Sequence, residues 1–237
     1  MKLAIMQPYF LPYIGYFQLI AAVDTFIVYD NIKYTKKGWI NRNRWLQNGG
    51  DATFTLPLEK ASDFLDINQR KIAGDFDRKK FLNQLKGNYA KAPHFESTFV
   101  LVEKLLPQPE HNLFDLLLHS LVRVCQHLNI PTKIQVSSTI AADHSLKGQD
   151  RVLDLCRAMR ADTYINAIGG TALYSERDFA NAGVDLRFIR SAPIEYPQFD
   201  DPFVPWLSIV DVLMFNPVSR VQEFLVQCDL VHGETHA

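Results

Sequence analysis

Residues 2–29 read KLAIMQPYFLPYIGYFQLIAAVDTFIVY. The stretches 2–6 and 25–29 are short apolar runs typical of buried strands, and the two prolines after the first run predict a loop. From Gly15 onward the apolar residues recur at helical spacing and predict one or two helical turns. Strand, loop, helix and strand in this order are typical of a βαβ unit, whose two strands are parallel. We therefore predict that the chain begins with such a unit.

The rest of the chain continues this alternation. Further strands are predicted at 53–58, 133–138, 163–167 and 184–189, and helices at 76–90, 94–106, 113–128, 149–159, 175–182, 208–215 and 219–226. The segment 31–44 is polar and basic, and no strand is predicted in it. This pattern predicts a single α/β domain over residues 1–237, with a wound, mainly parallel, Rossmann-like sheet and a mainly helical insertion at about 74–130.

Composition excludes several classes of protein. The 237 residues include 47% hydrophobic and 22% charged residues, which is typical of a folded globular chain rather than a disordered one. A formal net charge of -1 argues against a DNA-binding polycation. No apolar run approaches the roughly 20 residues that a membrane span needs. The three cysteines lie far apart without CxxC spacing, so we expect a reducing, cytoplasmic location; the oligomeric state stays open.

The first candidate site is the loop at 7–17, which follows the first predicted strand and leads into the first helix. Ligands of open α/β sheets collect at the carboxyl ends of strands, and a helix N-terminus offers free N–H groups to an anion. The candidate binding residues are Gln7, Tyr9, Tyr13 and Gly15, and Tyr16 is a candidate catalytic residue. The alternative is that the prolines and tyrosines only shape a rigid loop and pack against the core.

The second candidate site is the segment 33–45, KYTKKGWINRNRW, which contains five cations and no acid. Cations neutralise phosphate oxygens, and an aromatic face can stack against a base or a sugar ring. This chemistry suits a nucleotide sugar, the end of a tRNA or an adenylate. The candidate binding residues are Lys37, Trp39, Asn41, Arg42 and Arg44. The alternative is a solvated charged loop.

Two weaker candidates follow later strands. Hydroxyl groups after a strand can hold a phosphate, and a nearby histidine can act as a base, although such residues also serve as caps and turns. These residues are Ser137, Ser138 and His144. A glycine pair after another strand permits close ligand approach, and this group comprises Gly169, Gly170 and Tyr174.

Known metal and dinucleotide motifs are absent from the chain. It contains no HExxH, Walker, GxGxxG or GxSxG motif and no Cys/His cluster with ligand spacing, so we expect no dedicated metal site. Ser208 precedes a predicted helix and Asp211 follows three residues later. This spacing predicts a capping box with Asp in place of the usual Glu.

Together these stretches carry a family resemblance. The segments 7–17, 24–30 and 37–43 resemble the WbqC-like protein family, and later blocks look similar in the same order over nearly the whole chain. Those blocks are 91–93, 137–138, Tyr164, 169–170 with Tyr174, and 208–211. The resemblance implies a role in the synthesis of O-antigen lipopolysaccharide or another bacterial surface polysaccharide, and for some members a glycine transferase activity.

The implied reaction forms an amide between an amino acid and an amino sugar, with a phosphate-bearing nucleotide sugar as the expected substrate. Under that activity Lys37, Arg42 and Arg44 would bind phosphate, Trp39 or Tyr9 would stack on a ring, and Gln7, Asn41 and Tyr16 would orient the acyl carbonyl. Asp30 or His144 would deprotonate the attacking amine, which must be neutral to react. The candidate acyl donors are an adenylate made from ATP with Mg²⁺, or aminoacyl-tRNA, which makes tRNA a candidate partner.

A second likeness concerns the first βαβ unit alone. The order of strand, proline, Gly15 and Tyr16, followed by an Asp-led strand, resembles the HxGH region of nucleotidylyltransferases and pantothenate synthetase. Both histidines of that motif are absent here, with Pro12 or Tyr13 and Tyr16 in their region. This likeness implies a nucleotidylyltransferase-like sheet and an alternative function, the formation of an acyl- or sugar-nucleotide. A non-catalytic protein that binds nucleotide sugar or polysaccharide is the other alternative.

Overall fold

The computed structural model describes residues 1–106 and 111–233. Within them, the strands are β1 (Lys2–Met6), β2 (Thr25–Val28), β3 (Arg42–Gln47), β4 (Gly50–Thr55), β5 (Lys133–Val136), β6 (Thr163–Ala167), β7 (Asp185–Ser191) and β8 (Cys228–Val231). The α-helices are α1 (Ile14–Ala21), α2 (Arg78–Tyr89), α3 (Phe95–Leu105), α4 (Leu113–His127), α5 (Gly148–Met159), α6 (Glu176–Asn181), α7 (Ile209–Phe215) and α8 (Val218–Leu225).

The central sheet has the strand order β5-β2-β1-β6-β7-β8. Strands β5 to β7 in this order are parallel to one another, and β8 pairs antiparallel to β7. The prediction of a wound, mainly parallel α/β sheet is therefore confirmed. The first unit is also confirmed, because β1 and β2 are parallel neighbours joined through α1. Helix α1 begins at Ile14, directly before the glycine from which the helix was expected.

Strand β1 lies at the centre, and the two faces of the sheet carry different helices. Alternate side chains of a strand point to opposite faces, so Ala4 packs on the side of α1 whereas Leu3 and Ile5 pack on the side of α5. The crossover after β1 runs on the first face and the crossover from β5 to β6 on the second. The boundary between β1 and β6 is thus a topological switch point, where ligands of open α/β sheets bind at the carboxyl ends of the strands.

Two strands were not predicted. The hairpin of β3 and β4 occupies part of the segment expected to be a polar connection, and the strand expected at 53–58 lies at 50–55. In β3 the inward residues include Asn43, a polar side chain that hides the strand's alternation. β8 is a four-residue edge strand with exposed Asp229 and Leu230 at its centre.

Helices α2, α3 and α4 lie in the segment expected to form the helical insertion, of which residues 107–110 are outside the described part. The predicted capping box at α7 is wrong in its second half. Ser208 Oγ does accept a hydrogen bond from the Val210 N–H, at 3.3 Å. The Asp211 carboxylate, however, points into the core and accepts from Tyr89, Tyr196 and Gln198 instead.

Candidate functional site

A small pocket of about 160 Å³ joins the two segments that the sequence singled out first. We call it the aromatic cleft, and it is lined by Tyr9, Tyr13, Trp39, Asn43, Arg44 and Trp206. Residues of the first loop and of the basic segment therefore share one pocket. The sixth residue comes from a third segment, more than 160 positions further along the chain.

One backbone hydrogen bond and the side chain of Asn43 hold the first loop against the basic segment. The Phe10 N–H donates to the Trp39 carbonyl at 3.3 Å. The buried Asn43 side chain donates to the carbonyls of Phe10 and Leu11, at 3.1 and 2.9 Å. Asn43 therefore faces inward because its amide satisfies carbonyl groups that the loop leaves without strand partners.

The third segment is fastened to the same two elements. The Ser208 N–H donates to the Arg44 carbonyl and the Ile209 N–H donates to the Pro12 carbonyl, each at 2.8 Å. The Ser208 hydroxyl also donates to the Leu11 carbonyl at 2.7 Å. These bonds set Trp206 beside Tyr13, with 5.9 Å between the ring centroids.

Positive charge and an exposed ring meet in the aromatic cleft. The guanidinium groups of Arg44 and Arg42 lie 5.5 and 5.6 Å from the centroid of the Trp39 ring, which is 39% exposed. Arg44 also donates to the Asp51 carboxylate at 3.2 Å and to the Trp206 carbonyl at 3.3 Å. The cleft thus offers one cation and several ring faces, a combination that suits a phosphate group attached to a ring.

The backbone around the cleft is strained at two bulky residues. Leu11 has φ 46° and Trp206 has φ 62°, both in the left-handed region. This conformation costs a side-chain-bearing residue roughly 1–2 kcal/mol, and such strain clusters at functional sites. Trp206 is also 64% exposed, so burial of its ring does not offset the strain.

A larger pocket of about 610 Å³ lies on the other side of Tyr13 and Trp206, which line both pockets. We call it the apolar pocket. Its walls include Ile14, Pro193, Ile194, Phe203, Leu207 and Val212. Gly15 lies in the same wall, where an added Cβ would come within 2.4 Å of the Tyr13 ring. Only glycine therefore allows this ring to lie against the start of α1.

Gln7 and Tyr16 lie behind the cleft and support it. The Tyr16 hydroxyl donates to the Gln7 carbonyl at 3.0 Å, and the Gln7 amide donates to the Tyr9 hydroxyl at 2.9 Å. Burial raises the pKa of Tyr16 well above its ordinary value, so this hydroxyl stays neutral. In this arrangement both residues position Tyr9.

The other predicted residues of the basic segment stabilise its own loop. Asn41 is buried, where it accepts from the Tyr34 hydroxyl and donates to the Leu56 carbonyl, each at 2.8 Å. Arg42 donates to the carbonyls of Gly38 and Lys37. The Lys37 side chain is exposed. Among the described residues, Lys37, Asn41 and Arg42 are not part of the cleft lining.

Asp30 follows β2 and is almost completely buried. One carboxylate oxygen accepts from the Ser138 N–H and the other from the Asn68 side-chain amide, each at 2.9 Å. The carboxylate thereby connects the end of β2 to two loops. Its predicted role as a base would require the release of one of these bonds.

His144 lies on the opposite face of the sheet, beside α5. Its Nε2 lies 3.0 Å from the Ile140 carbonyl, which fixes Nε2 as the donor, and Nδ1 lies 3.3 Å from the Arg151 guanidinium. Arg151 also donates to Asn31 and lies 5.0 Å from the centroid of the Tyr29 ring. Both nitrogens of His144 are therefore engaged, so a role as base would again require a rearrangement.

The remaining predicted residues are also outside the aromatic cleft. Ser137 is buried and its hydroxyl has no hydrogen-bond partner within the described residues, whereas Ser138 is exposed. Gly170 packs against the Asn166 carboxamide, Gly169 is exposed, and the Tyr174 hydroxyl lies 3.3 Å from that of Tyr164. These groups remain predicted binding residues that the cleft does not include.

The model of the WbqC-like protein family matches residues 7–223. The chain belongs to the WbqC-like protein family. Its relatives include a protein of Mycobacterium tuberculosis named "Uncharacterized protein Rv1507c", with 31% identity over 232 residues that cover 96% of this chain and 98% of the relative. All residues of the aromatic cleft lie within the part that matches the WbqC-like family.

Within residues 1–106 and 111–233 of this WbqC-like chain, no group of three or more His, Cys, Asp or Glu side chains is placed to hold a metal ion. In the same residues no helix has both the length and the apolar character needed to cross a bilayer.

Sequence reasoning missed Trp206 and the apolar pocket of this WbqC-like protein. Residues 191–207 contain four prolines and predict only an irregular connection. The available signal was Trp206 itself, a large apolar residue in a stretch with no helical or strand period that would bury it. Its place beside Tyr13 depends on contacts that are distant in sequence.

Proposed function

We propose that this protein is an acyl transferase that joins an aminoacyl group, glycyl in the first instance, to the amino group of a phosphate-bearing amino sugar. The reaction belongs to the synthesis of surface polysaccharides such as O-antigen. The observation that carries the proposal is the convergence of Tyr9, Tyr13, Trp39, Arg44 and Trp206 on one cleft. Membership of the WbqC-like family supports it.

The cleft suits the acceptor substrate. Apolar faces of a sugar ring pack on aromatic rings, so Trp39 and Tyr13 would hold the sugar, while the Arg44 guanidinium would bind its phosphate. Because Arg44 is held by Asp51 and by the Trp206 carbonyl, the cation is positioned before the ligand arrives. Such preorganisation lowers the entropic cost of binding.

The chemistry requires a neutral amine and an activated acyl group. The amine nitrogen attacks the acyl carbon, a C–N bond forms, and the bond to the leaving group breaks. The leaving group is the phosphate of an adenylate or the ribose oxygen of a tRNA. A base then takes the proton that the amine loses. Asp30 or His144 is the proposed base, and either side chain would first have to release one of the hydrogen bonds that hold it.

Transfer of labelled glycine tests this proposal. The protein is incubated with radiolabelled glycine, either with ATP and Mg²⁺ or as charged tRNA, and with a panel of phosphate-bearing amino sugars linked to nucleotides or to lipids. We expect label in an acid-stable amide product with one class of donor. Trp39→Ala should raise KM for the sugar about ten-fold, because stacking on an aromatic ring is worth roughly 1–3 kcal/mol.

Phe64→Ala is the matched control. Phe64 is also an exposed aromatic residue beside a cation, with the Lys33 ammonium 4.6 Å from its ring centroid, but it does not line the cleft. The absence of labelled product with every donor and every nucleotide-linked or lipid-linked acceptor would overturn the acyl transferase. Release of pyrophosphate from a nucleoside triphosphate without an amide would indicate a nucleotidylyltransferase. Sugar binding without turnover would indicate a binding protein.

A further inference from the structure

The apolar pocket has the size of a ligand site and lacks a role in the proposed reaction. Its volume of about 610 Å³ falls in the range of about 300–1,000 Å³ that is usual for small-molecule sites. A glycyl group would leave most of it empty. The pocket adjoins the aromatic cleft through Tyr13 and the exposed Trp206, so a ligand that passes over these two rings would reach both pockets.

The chemistry of the apolar pocket disfavours a nucleoside. A nucleobase carries donors and acceptors that need partners when they are buried. The Ser191 hydroxyl already donates to Gln18 and the Tyr196 hydroxyl to Asp211. The Ala192 N–H donates to the Gln227 carbonyl. The other ionisable side chains of the lining are those of Tyr13 and of the exposed Glu195, and the rest of the wall is largely aliphatic and aromatic carbon.

The charged side chains of the two pockets determine which end of a ligand lies in which pocket. The Glu195 carboxylate lies in the lining of the apolar pocket and would repel a phosphate there. The Arg44 guanidinium lies in the aromatic cleft, beyond Tyr13 and Trp206. An amphiphile with an anionic head would therefore place its head at Arg44 and its chain in the apolar pocket.

We propose that the carrier of the acceptor sugar is an aliphatic lipid phosphate, whose chain fills the apolar pocket and whose phosphate binds Arg44. This inference rests on the proposed function, which supplies the reaction at the sugar. It differs in the carrier of that sugar, which is a lipid phosphate instead of a nucleotide. Binding of the carrier itself can be measured without turnover.

A chain-length series on the wild-type protein tests the carrier. Hexyl, octyl and decyl phosphate are titrated calorimetrically, each below its micelle concentration, with inorganic phosphate and UDP as the comparison ligands. Burial of a methylene is worth about 0.8 kcal/mol, so affinity should rise by up to about four-fold for each added methylene. An affinity independent of chain length would overturn the proposal, and so would UDP binding more tightly than decyl phosphate.

Two pairs of variants test where the alkyl chain and the phosphate group of the ligand bind. Ala192→Trp should obstruct the apolar pocket and sharply reduce the chain-length dependence, whereas Ala180→Trp, in a separate groove, should keep it. Arg44→Gln should weaken all alkyl phosphates about ten-fold with the chain-length dependence retained. Its control is Arg187→Gln, because Arg187 forms a similarly exposed ion pair with Asp185.

The outcomes separate this inference from the proposed function. Chain-dependent binding without any amide formation on lipid-linked amino sugars would support the carrier and contradict the acyl transferase. Amide formation on nucleotide sugars without chain-dependent binding would support the transferase and contradict the lipid carrier. Retention of the chain-length dependence in a folded Ala192→Trp protein, checked by circular dichroism, would contradict the assigned pocket.

Discussion

Asp211 is completely buried in α7 and has no cationic partner within the described residues. Its carboxylate accepts hydrogen bonds from the Tyr89 hydroxyl, the Tyr196 hydroxyl and the Gln198 amide, each at 2.7 Å. Burial raises the pKa of this carboxyl above its ordinary value, and the three hydrogen bonds oppose the shift only in part. Asp211 therefore connects α7 to α2 and to the segment that contains Tyr196 and Gln198, and its buried surroundings disfavour the charged form of the carboxyl.

The raised pKa predicts how stability depends on pH. The folded state binds a proton at Asp211 more tightly than the unfolded state, so the contribution of Asp211 to the free energy of unfolding falls as pH rises from about 3.8 through the raised pKa. We expect the difference in free energy between wild type and Asp211→Asn to shrink over this range in urea unfolding. Thr98→Val, which removes a buried hydrogen bond to the Leu213 carbonyl without removing a titratable group, should show no such trend. A difference that is constant with pH would contradict the assignment.

Removal of the acceptor should be costly at any pH. Asp211→Ala leaves three buried donors without a partner, and each such loss costs about 1–3 kcal/mol. We expect a loss of at least about 3 kcal/mol in the free energy of unfolding. A loss below about 1 kcal/mol would show that the donors find other partners.

Substitution of Trp206 should separate the effect of this residue on folding stability from its effect on ligand binding. Trp206→Gly relieves the left-handed strain but loses the contact with Tyr13 and gains freedom in the unfolded chain. These terms nearly cancel, so stability should change by less than about 1 kcal/mol while affinity for alkyl phosphates falls about ten-fold. Phe199→Gly is the control, since Phe199 has φ 54° and lines neither pocket. Equal loss of affinity in both variants would contradict a direct role for Trp206.

At the scale of elements, the hydrophobic pattern of the sequence predicts the parallel strands but does not predict the hairpin of β3 and β4. Strand β2 is buried at all four positions and its β-branched run is visible in the sequence. Strand β3 alternates Arg42 and Arg44 outward with Asn43 and Trp45 inward, and the inward asparagine removes the apolar signal. The burial of Asn43 depends on two carbonyl groups of the first loop, which are 32 and 33 residues away.

The end of β2 gives a prediction about Asp30. Asp30→Asn sets a donor against the Ser138 N–H or the Asn68 amide, so we expect the free energy of unfolding to fall by about 1–3 kcal/mol. Asp24→Asn is the matched control, because Asp24 precedes β2 and accepts one exposed hydrogen bond from the Lys2 N–H. If Asp30→Asn were as mild as Asp24→Asn, the carboxylate would not hold the loops and would be free to act as a base.

At the scale of the molecule, the sequence predicted the kind of sheet but only part of the site. Tyr9, Tyr13, Trp39 and Arg44 were singled out because aromatic and cationic residues cluster within two short segments. The third segment, and the pocket beyond it, result from contacts between residues more than 160 positions apart. Such contacts leave no periodic pattern in the local sequence, so the position of Trp206 could not be predicted from the sequence.

Backbone bonding predicts that these three segments open together. The amides of Phe10, Ser208 and Ile209 donate across the junctions between the segments. In native-state hydrogen exchange we expect these amides to share one opening free energy and one denaturant dependence. Exchange of Ser208 well ahead of Phe10 would show that the third segment detaches by itself.

The junctions of the aromatic cleft have a consequence for how the family can diverge. Three of their hydrogen bonds join main-chain N–H and carbonyl groups, and the side chains of Asn43 and Ser208 donate others, so these junctions do not depend on the ring side chains. A descendant chain could exchange the rings or the arginine that face the ligand and still inherit the frame that displays them. Recognition of a new head group would then require few substitutions, all at exposed positions of the cleft. The hydrogen bonds that hold the three segments together would be retained, because the fold depends on them.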